Sequence, residues 1–340
     1  MEHLGLVGLP DSGHDGVFAA LTGHDAPSAA ERVLGVVTIP DERLDRLAEM
    51  SRSKQVVRAS FQVAMLPALS VEAGKGLGSR LLGSLRDCDA ILLVVRASGG
   101  HDPGGEAAAL EEELILADLG SVEARLAKQR RAAKGDPSLA AEVAALERAE
   151  TALSDGVPVH RSDVDAEDRA RLGPVFLLTN KPTLVVVNID VGQLDDGDRL
   201  ASRFGEDALA VCVELEGDPE VVAADGPERA ELLADLGVTE SVVPRLARRA
   251  LHLLGRRTFL TTGEKESRAW TFRAGSTAPE CAGVIHSDLQ RGFIRAEVIG
   301  WEQLLEIGSW AKAKELGKLR VEGKDYVVQD GDVLEIRFNV

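Results

Sequence analysis

The chain has 340 residues, more than one hydrophobic core usually holds, so two or three domains are expected. Apolar residues make up 44%, enough to fill such cores, and aromatics only 4%, which leaves little for a base-stacking RNA platform. Lys and Arg number 39 against 56 Asp and Glu, a net charge of −17, which argues against bulk DNA binding but leaves room for one local basic face.

Cys88, Cys212 and Cys281 lie far apart, with no CxxC pair, and read as buried small side chains rather than a metal site or a disulfide framework. The sequence runs directly into Leu4–Gly8 without a basic, apolar leader, and no apolar run reaches membrane-span length. The expectation is a soluble cytoplasmic protein with no membrane partner.

Three stretches follow one another. In the first, roughly 1–100, Leu4-Gly5-Leu6-Val7-Gly8 reads as a strand, a turn follows, and 16–22 has a helical pattern. Ala90-Ile91-Leu92-Leu93-Val94-Val95 is a continuous apolar run, the signature of a strand covered on both faces of a parallel sheet. The pattern resumes at Thr183-Leu184-Val185-Val186-Val187-Asn188 and at Ala208-Leu209-Ala210-Val211-Cys212-Val213, so one sheet is interrupted by an insertion.

The insertion, roughly 101–171, has helical period. Ile115, Leu119, Val122 and Leu126 form one apolar stripe, and Leu139, Val143, Leu146 and Leu153 another. Gly135-Asp136-Pro137 between them predicts a turn, hence an antiparallel helical hairpin. Arg125, Lys128, Arg130, Arg131 and Lys134 gather just before that turn, either as a solvated helix end or as a partner-binding tip.

The third stretch, from about 257 to 340, is strand-rich. Ala269–Phe272, Phe293–Val298, Tyr326–Val328 and Val333–Phe338 read as strands, with Gln329-Asp330-Gly331-Asp332 as a tight turn joining the last two. Trp301–Leu316 supplies one helix, which makes a small α+β domain.

After the first strand comes Gly8-Leu9-Pro10-Asp11-Ser12-Gly13-His14-Asp15. The phosphate-binding loop of nucleotide hydrolases needs two glycines five apart, then Lys and a hydroxyl residue, between a strand and a helix. The glycines, the spacing and the context are present; Lys is His14 and the hydroxyl residue is Asp15.

Longer strings then carry a resemblance. They are Gly5–Pro10; Gly35-Val36-Val37 leading to Pro40–Asp45; Gly76-Leu77-Gly78 leading to Asp87–Ile91; and Glu113–Leu119. Towards the C-terminus they are Arg268–Thr271, Ala282–His286, Arg291–Glu297 and Val327–Asp332. Over essentially its full length the chain resembles the YchF subfamily of Obg-like ATPases. The resemblance implies an α/β fold: a Ras-like P-loop NTPase sheet (1–100 plus 172–256), an inserted antiparallel helical hairpin (101–171) and a C-terminal β-grasp TGS domain (257–340). It also implies adenine-nucleotide binding and association with ribosomes.

Carried over position by position, the nucleotide-binding positions are Gly8, Asp11, Ser12, Gly13, His14, Asp15, Gly16, Asn188, Val191, Cys212 and Val213, and most of them depart from the family pattern. His14 stands for the loop lysine, Asp15 for the Mg²⁺-holding serine and Gly16 for the threonine after it. Counting back from Gly76-Leu77-Gly78 puts the second metal motif, Asp-x-x-Gly, on Val63-Ala64-Met65-Leu66. Val63 offers a hard ion no oxygen, and Leu66 replaces the glycine that would approach the γ-phosphate. No water-positioning His occurs in Leu69–Lys75. The base-reading motif falls on Asn188-Ile189-Asp190-Val191, where Val191 replaces the acidic residue associated with adenine. Cys212-Val213 forms the next base-facing loop. Asn180-Lys181-Pro182-Thr183 only mimics a GTPase signature, since it precedes its strand and lacks the Asp.

Phosphoryl transfer depends on positioning and charge neutralisation, much of it supplied by Lys and Mg²⁺. Losing both costs orders of magnitude in rate. A backbone nest at the helix N-terminus retains weak anion binding. The expectation is a pseudo-NTPase with no required cofactor, weak ATP or GTP binding, no catalytic residue and no Mg²⁺ site at Asp15 or Val63. It would act as a scaffold for ribosomal or translation-linked protein or RNA, with the hairpin and the TGS domain as contact faces. The alternative is a divergent but active ATP or GTP hydrolase. Arg291, Arg295, Lys312, Lys314, Lys318 and Arg320 are candidates for a basic face on the TGS domain.

Overall fold

In a computed structural model of the chain, residues 3–24, 32–69, 79–224, 226–238 and 240–339 are described. Their strands are β1 (His3–Gly8), β2 (Val33–Thr38), β3 (Val56–Val57), β4 (Ser60–Met65), β5 (Ala90–Arg96), β6 (Thr183–Asn188), β7 (Leu209–Val211), β8 (Arg256–Thr261), β9 (Ser267–Arg273), β10 (Phe293–Gly300), β11 (Arg320–Glu322) and β12 (Asp332–Phe338). The principal helices are α1 (His14–Thr22), α2 (Glu42–Ser51), α3 (Ser79–Arg86), α4 (Pro103–Ala132) and α5 (Ala140–Ser154). Two compact units result: Met1–Gly35 with Gln62–Val243, and Val36–Phe61 with Pro244–Val340.

The first unit is built on the neighbouring strands β4-β1-β5-β6-β7. β1 pairs in parallel with β4 and β5, β5 with β6, and β6 with β7. Leu4, Leu6, Leu92, Val94 and Val186 are all fully buried, which is why these strands read as unbroken apolar runs instead of alternating. The strand expected over Ala208–Val213 is shorter, Leu209–Val211, because Val213 already opens the short helix Val213–Glu216.

The insertion is the expected hairpin. Asp102 caps α4 by accepting from the N–H groups of Gly104 and Gly105, with Pro103 in the first turn, where its missing N–H costs nothing. Val122 and Leu126 pack with Ala145, Leu146, Ala149 and Leu153 along the seam. Glu142 clamps the two helices, accepting from Arg125 at 2.8 Å and from Gln129 Nε2 at 2.9 Å. Lower down, the fully buried Asp118 accepts from the N–H groups of Leu178 (3.0 Å) and Thr179 (2.7 Å) and from the Thr179 hydroxyl (2.8 Å). Burial pushes its carboxyl up, and these donors only partly offset that.

The second unit carries a mixed sheet of order β11-β10-β12-β8-β9-β3. β8–β9, β10–β11 and β10–β12 are antiparallel; β8–β12 and β3–β9 are parallel. The segment 36–61, which the sequence reading leaves with the first sheet, groups here. β3 pairs Val56 with Ser267 and Val57 with Arg268, the Lys54 N–H donates to Glu264 O at 3.0 Å, and the Ser53 hydroxyl donates to Gly263 O at 2.8 Å.

Three expectations for this region are corrected. Tyr326–Val328 is not a strand: it makes a single antiparallel bridge, Val327 to Thr277, through Ala278 N–H to Tyr326 O and Val328 N–H to Ser276 O, after which Gln329 N–H turns to the Asp332 carboxylate. The helix predicted over Trp301–Leu316 is two, Trp301–Ile307 and Trp310–Glu315, broken where Gly308 adopts a φ of 89°. The domain also has helices at Ala278–Ile285 and Ser287–Arg291, so the single-helix description fails. The first of these starts with a capping box from Thr277 to Glu280, a signal legible in Thr-Ala-Pro-Glu.

Tyr326, the chain's one tyrosine, provides a local probe. Its hydroxyl donates to Asp332 at 2.6 Å, and burial together with that carboxylate pushes the phenol up to about 12, against the pull of Arg320. A group whose pKa is raised in the folded state stabilises it below the unfolded value and loses that contribution as pH rises through the folded one. Tyrosinate absorbance followed through an alkaline titration is expected to rise near pH 12 in the folded chain. Asp332→Asn should move the rise down towards the ordinary tyrosine value of about 10.

Candidate nucleotide loop

β1 ends at Gly8, and the chain turns through Asp11 (φ 62°) and Gly13 (φ 81°) into α1. Ser12 N–H closes the turn on Leu9 O at 3.1 Å. The Ser12 side chain is fully buried within the loop: a Cβ added to Gly8 would stand 2.1 Å from its Oγ. His14, at the lysine position, is 4% exposed and holds Nδ1 3.1 Å from the Ser12 hydroxyl. Burial lowers its pKa and the nearby Asp15 carboxylate restores only part, so the imidazole is neutral at pH 7. Its Nε2 is buried without a hydrogen-bond partner among the described residues.

Asn188 at the end of β6 reaches the same loop. Its Nδ2 donates to Ser12 O at 3.0 Å, and its Oδ1 accepts from Val213 N–H at 3.3 Å. Val213 packs so closely on α1 that a Cβ at Gly16 would meet its Cγ1 at 2.1 Å. The structure thus brings Ser12, Gly13, His14, Gly16, Asn188 and Val213 together. Cys212, buried beside them, has its thiol pushed up by burial. Asp11, Asp15 and Val191 are exposed, Val191 on a 3-10 turn over Val191–Asp196.

The metal-motif positions are part of the core. Val63 lies within β4 opposite Leu4 and is 0% exposed. Leu66 is likewise buried, in one apolar cluster with Val7, Ala64, Leu69 and Leu85. The chain after β4 is laced to β1, Leu66 N–H donating to Leu6 O (3.0 Å) and Leu69 N–H to Gly8 O (2.8 Å). The stretch examined for a water-positioning histidine, and the Gly76-Leu77-Gly78 anchor, lie outside the described residues apart from Leu69. Among the described residues no three His, Cys, Asp or Glu side chains gather into a metal-holding group.

The loop interior holds a neutral imidazole and a serine hydroxyl, with no side-chain ammonium, and of the two positions where the resemblance implies magnesium ligands one is an exposed carboxylate, Asp15, and the other a core valine, Val63. The sequence gives no sign of the inward Ser12, the brace made by Asn188 or the lacing at Leu69, beyond one hint: Ser12 stands two residues from His14, where a hydroxyl can engage an imidazole.

The family model YchF-GTPase_C, described as a protein of unknown function (DUF933), matches residues 257–339. The Ribosome-binding ATPase YchF of Bacillus subtilis (strain 168) is 38% identical over 363 residues, covering 99% of each chain. The chain belongs to the YchF family. The Haemophilus influenzae Ribosome-binding ATPase YchF is 37% identical over 360 residues, again with 99% of each covered. The solved structure of the Schizosaccharomyces pombe YchF GTPase superposes with a TM-score of 0.82 at 25% identity, covering 99% of this chain and 97% of that one. The parallel sheet and the long helical hairpin are those of a YchF fold. No helix among the described residues is long and apolar enough to cross a membrane.

Proposed function

We propose that this YchF chain is a nucleotide-pocket scaffold that has lost efficient ATP hydrolysis and acts by binding ribosomal or translation-linked partners. One observation carries the loss of hydrolysis: His14, at the lysine position, is buried, neutral and turned onto Ser12 inside the loop. Weak binding of ATP or GTP is compatible with this arrangement, since the first-turn N–H groups of α1 form an anion site independent of side chains. Val63, where the resemblance implies a metal carboxylate, is a core side chain and offers Mg²⁺ no oxygen.

The relatives' names supply the ribosome. In this chain the hairpin end supports the same reading. Arg125 is tied to Glu142 and Arg130 to Glu147, whereas Lys128, Arg131 and Lys134 are exposed and make no ion pair among the described residues. Three uncompensated cations on a chain of net −17 form a local basic tip suited to phosphate. The TGS domain would add a second face. Sedimentation of extracts tests the partner: the chain is expected in ribosomal fractions at low salt, released at high salt and indifferent to added ATP. Absence from those fractions at both salt levels would overturn the ribosomal reading.

A further inference from the structure

Far from the loop in sequence, the first turns of α4 carry small side chains, Gly104 and Ala107 among them, and leave part of the sheet uncovered. The space is a cavity of about 400 Å³, within the range of small-molecule sites. Its apolar lining includes Leu93 of β5, Val185 of β6, Leu114 of α4 and Phe204, and two arginines, Arg203 and Arg161, line it as well. Arg203 stands 3.7 Å from the cap residue Asp102, its Nη2 lying 3.3 Å from where a Cβ of Gly104 would stand. Arg161 pairs with Glu111.

Both arginine side chains are half exposed, 52% and 57%, and each pairs with a single carboxylate, which leaves further donors of the fork free to bind. Asp102 and Glu111 balance the two guanidinium groups in charge, so recognition of an anion here rests on the unused donors of the two forks. An apolar lining rewards a hydrocarbon body, and the arginine fork matches a carboxylate. We propose that this slot binds a small monocarboxylate with an aromatic or branched apolar body, which would rest on Leu93, Val185 and Phe204 while its carboxylate accepts from Arg203 and Arg161.

Titrating the full chain with 3-phenylpropanoate, and separately with the uncharged 3-phenylpropan-1-ol, tests this by saturation-transfer NMR. The acid is expected to bind about tenfold more tightly than the alcohol, the difference expected from charge-assisted hydrogen bonding. Arg203→Gln, a change on an exposed side chain, should remove about that advantage, and Ala107→Phe should fill the slot and abolish binding of both. Thermal melting of each variant checks that it is folded; if Ala107→Phe is not, Arg203→Gln decides alone. No saturable binding of the acid, equal binding of acid and alcohol, or undiminished binding in Arg203→Gln would each overturn the proposal.

Discussion

Arg43→Ala is expected to destabilise the second unit by about 3–5 kcal/mol, the usual cost of leaving buried carboxylates without their partner. The guanidinium is a hub: Nε donates to Asp41 Oδ1 at 2.9 Å, Nη2 to Asp41 Oδ2 and to the Thr258 hydroxyl at 2.8 Å, and Nη1 to Asp330 Oδ2 at 2.8 Å. The Asp41 side chain is 4% exposed and cannot turn to water. Asp330 also accepts from Thr258 N–H at 2.8 Å. Burial pushes the Asp330 carboxyl up, but Thr258 N–H and Arg43 outweigh it and hold the group below the ordinary carboxylate range.

The sign of the pH dependence follows. The unfolded chain protonates Asp330 at higher pH than the folded one, so its contribution is full at neutral pH and is lost as pH falls through the depressed value. Denaturant unfolding across a pH series should show the Arg43→Ala midpoint lowered most at pH 7, the gap to the parent narrowing as the pH falls, because the variant has already lost the stability that acid removes from the parent. Adding Asp330→Asn to Arg43→Ala should then cost little more, because the two residues share one interaction. Full additivity would mean the hub carries no coupling.

Val63→Asp, which places a carboxylate where the family resemblance implies a metal ligand, is expected to cost about 4–7 kcal/mol at neutral pH, the penalty for burying a lone carboxylate deeply enough to raise its pKa by several units. Val63 is 0% exposed within a parallel strand, opposite the equally buried Leu4. Leu66→Gly would add a cavity cost of about 2–5 kcal/mol in the same cluster. Restoring all the motifs at once therefore unfolds the first unit before it can report on catalysis. His14→Lys with Asp15→Ser is the gentler reversion, as Asp15 is already exposed. Midpoints measured on Val63→Asp should recover as the pH is lowered and the carboxylate neutralises. A variant as stable as the parent, gaining a magnesium-dependent melting shift, would show instead that the position is a latent metal site.

Much of this was legible in sequence for a physical reason. Strands β1, β5 and β6 are covered on both faces, so their apolar runs are continuous; α4 and α5 bury one stripe each, so their period shows. The departures at His14, Asp15 and Val63 from what the resemblance implies are readable in the sequence alone, because Lys, Ser and Asp have chemistries that these side chains cannot supply. Long-range pairing was not. β3 is two residues long, and nothing in Val56-Val57 announces that it closes a sheet whose other strands begin two hundred residues later. Side-chain direction was equally hidden: His14 could have faced solvent, and only the structure turns it onto Ser12 and commits Asn188 to bracing the loop.

The sharpest test of the lost-hydrolysis reading is calorimetric titration of the full chain with ATP, with and without Mg²⁺, alongside phosphate release from the same samples. The account predicts weak binding that magnesium does not strengthen and release indistinguishable from the protein-free control. Tight magnesium-dependent binding accompanied by steady turnover would contradict it.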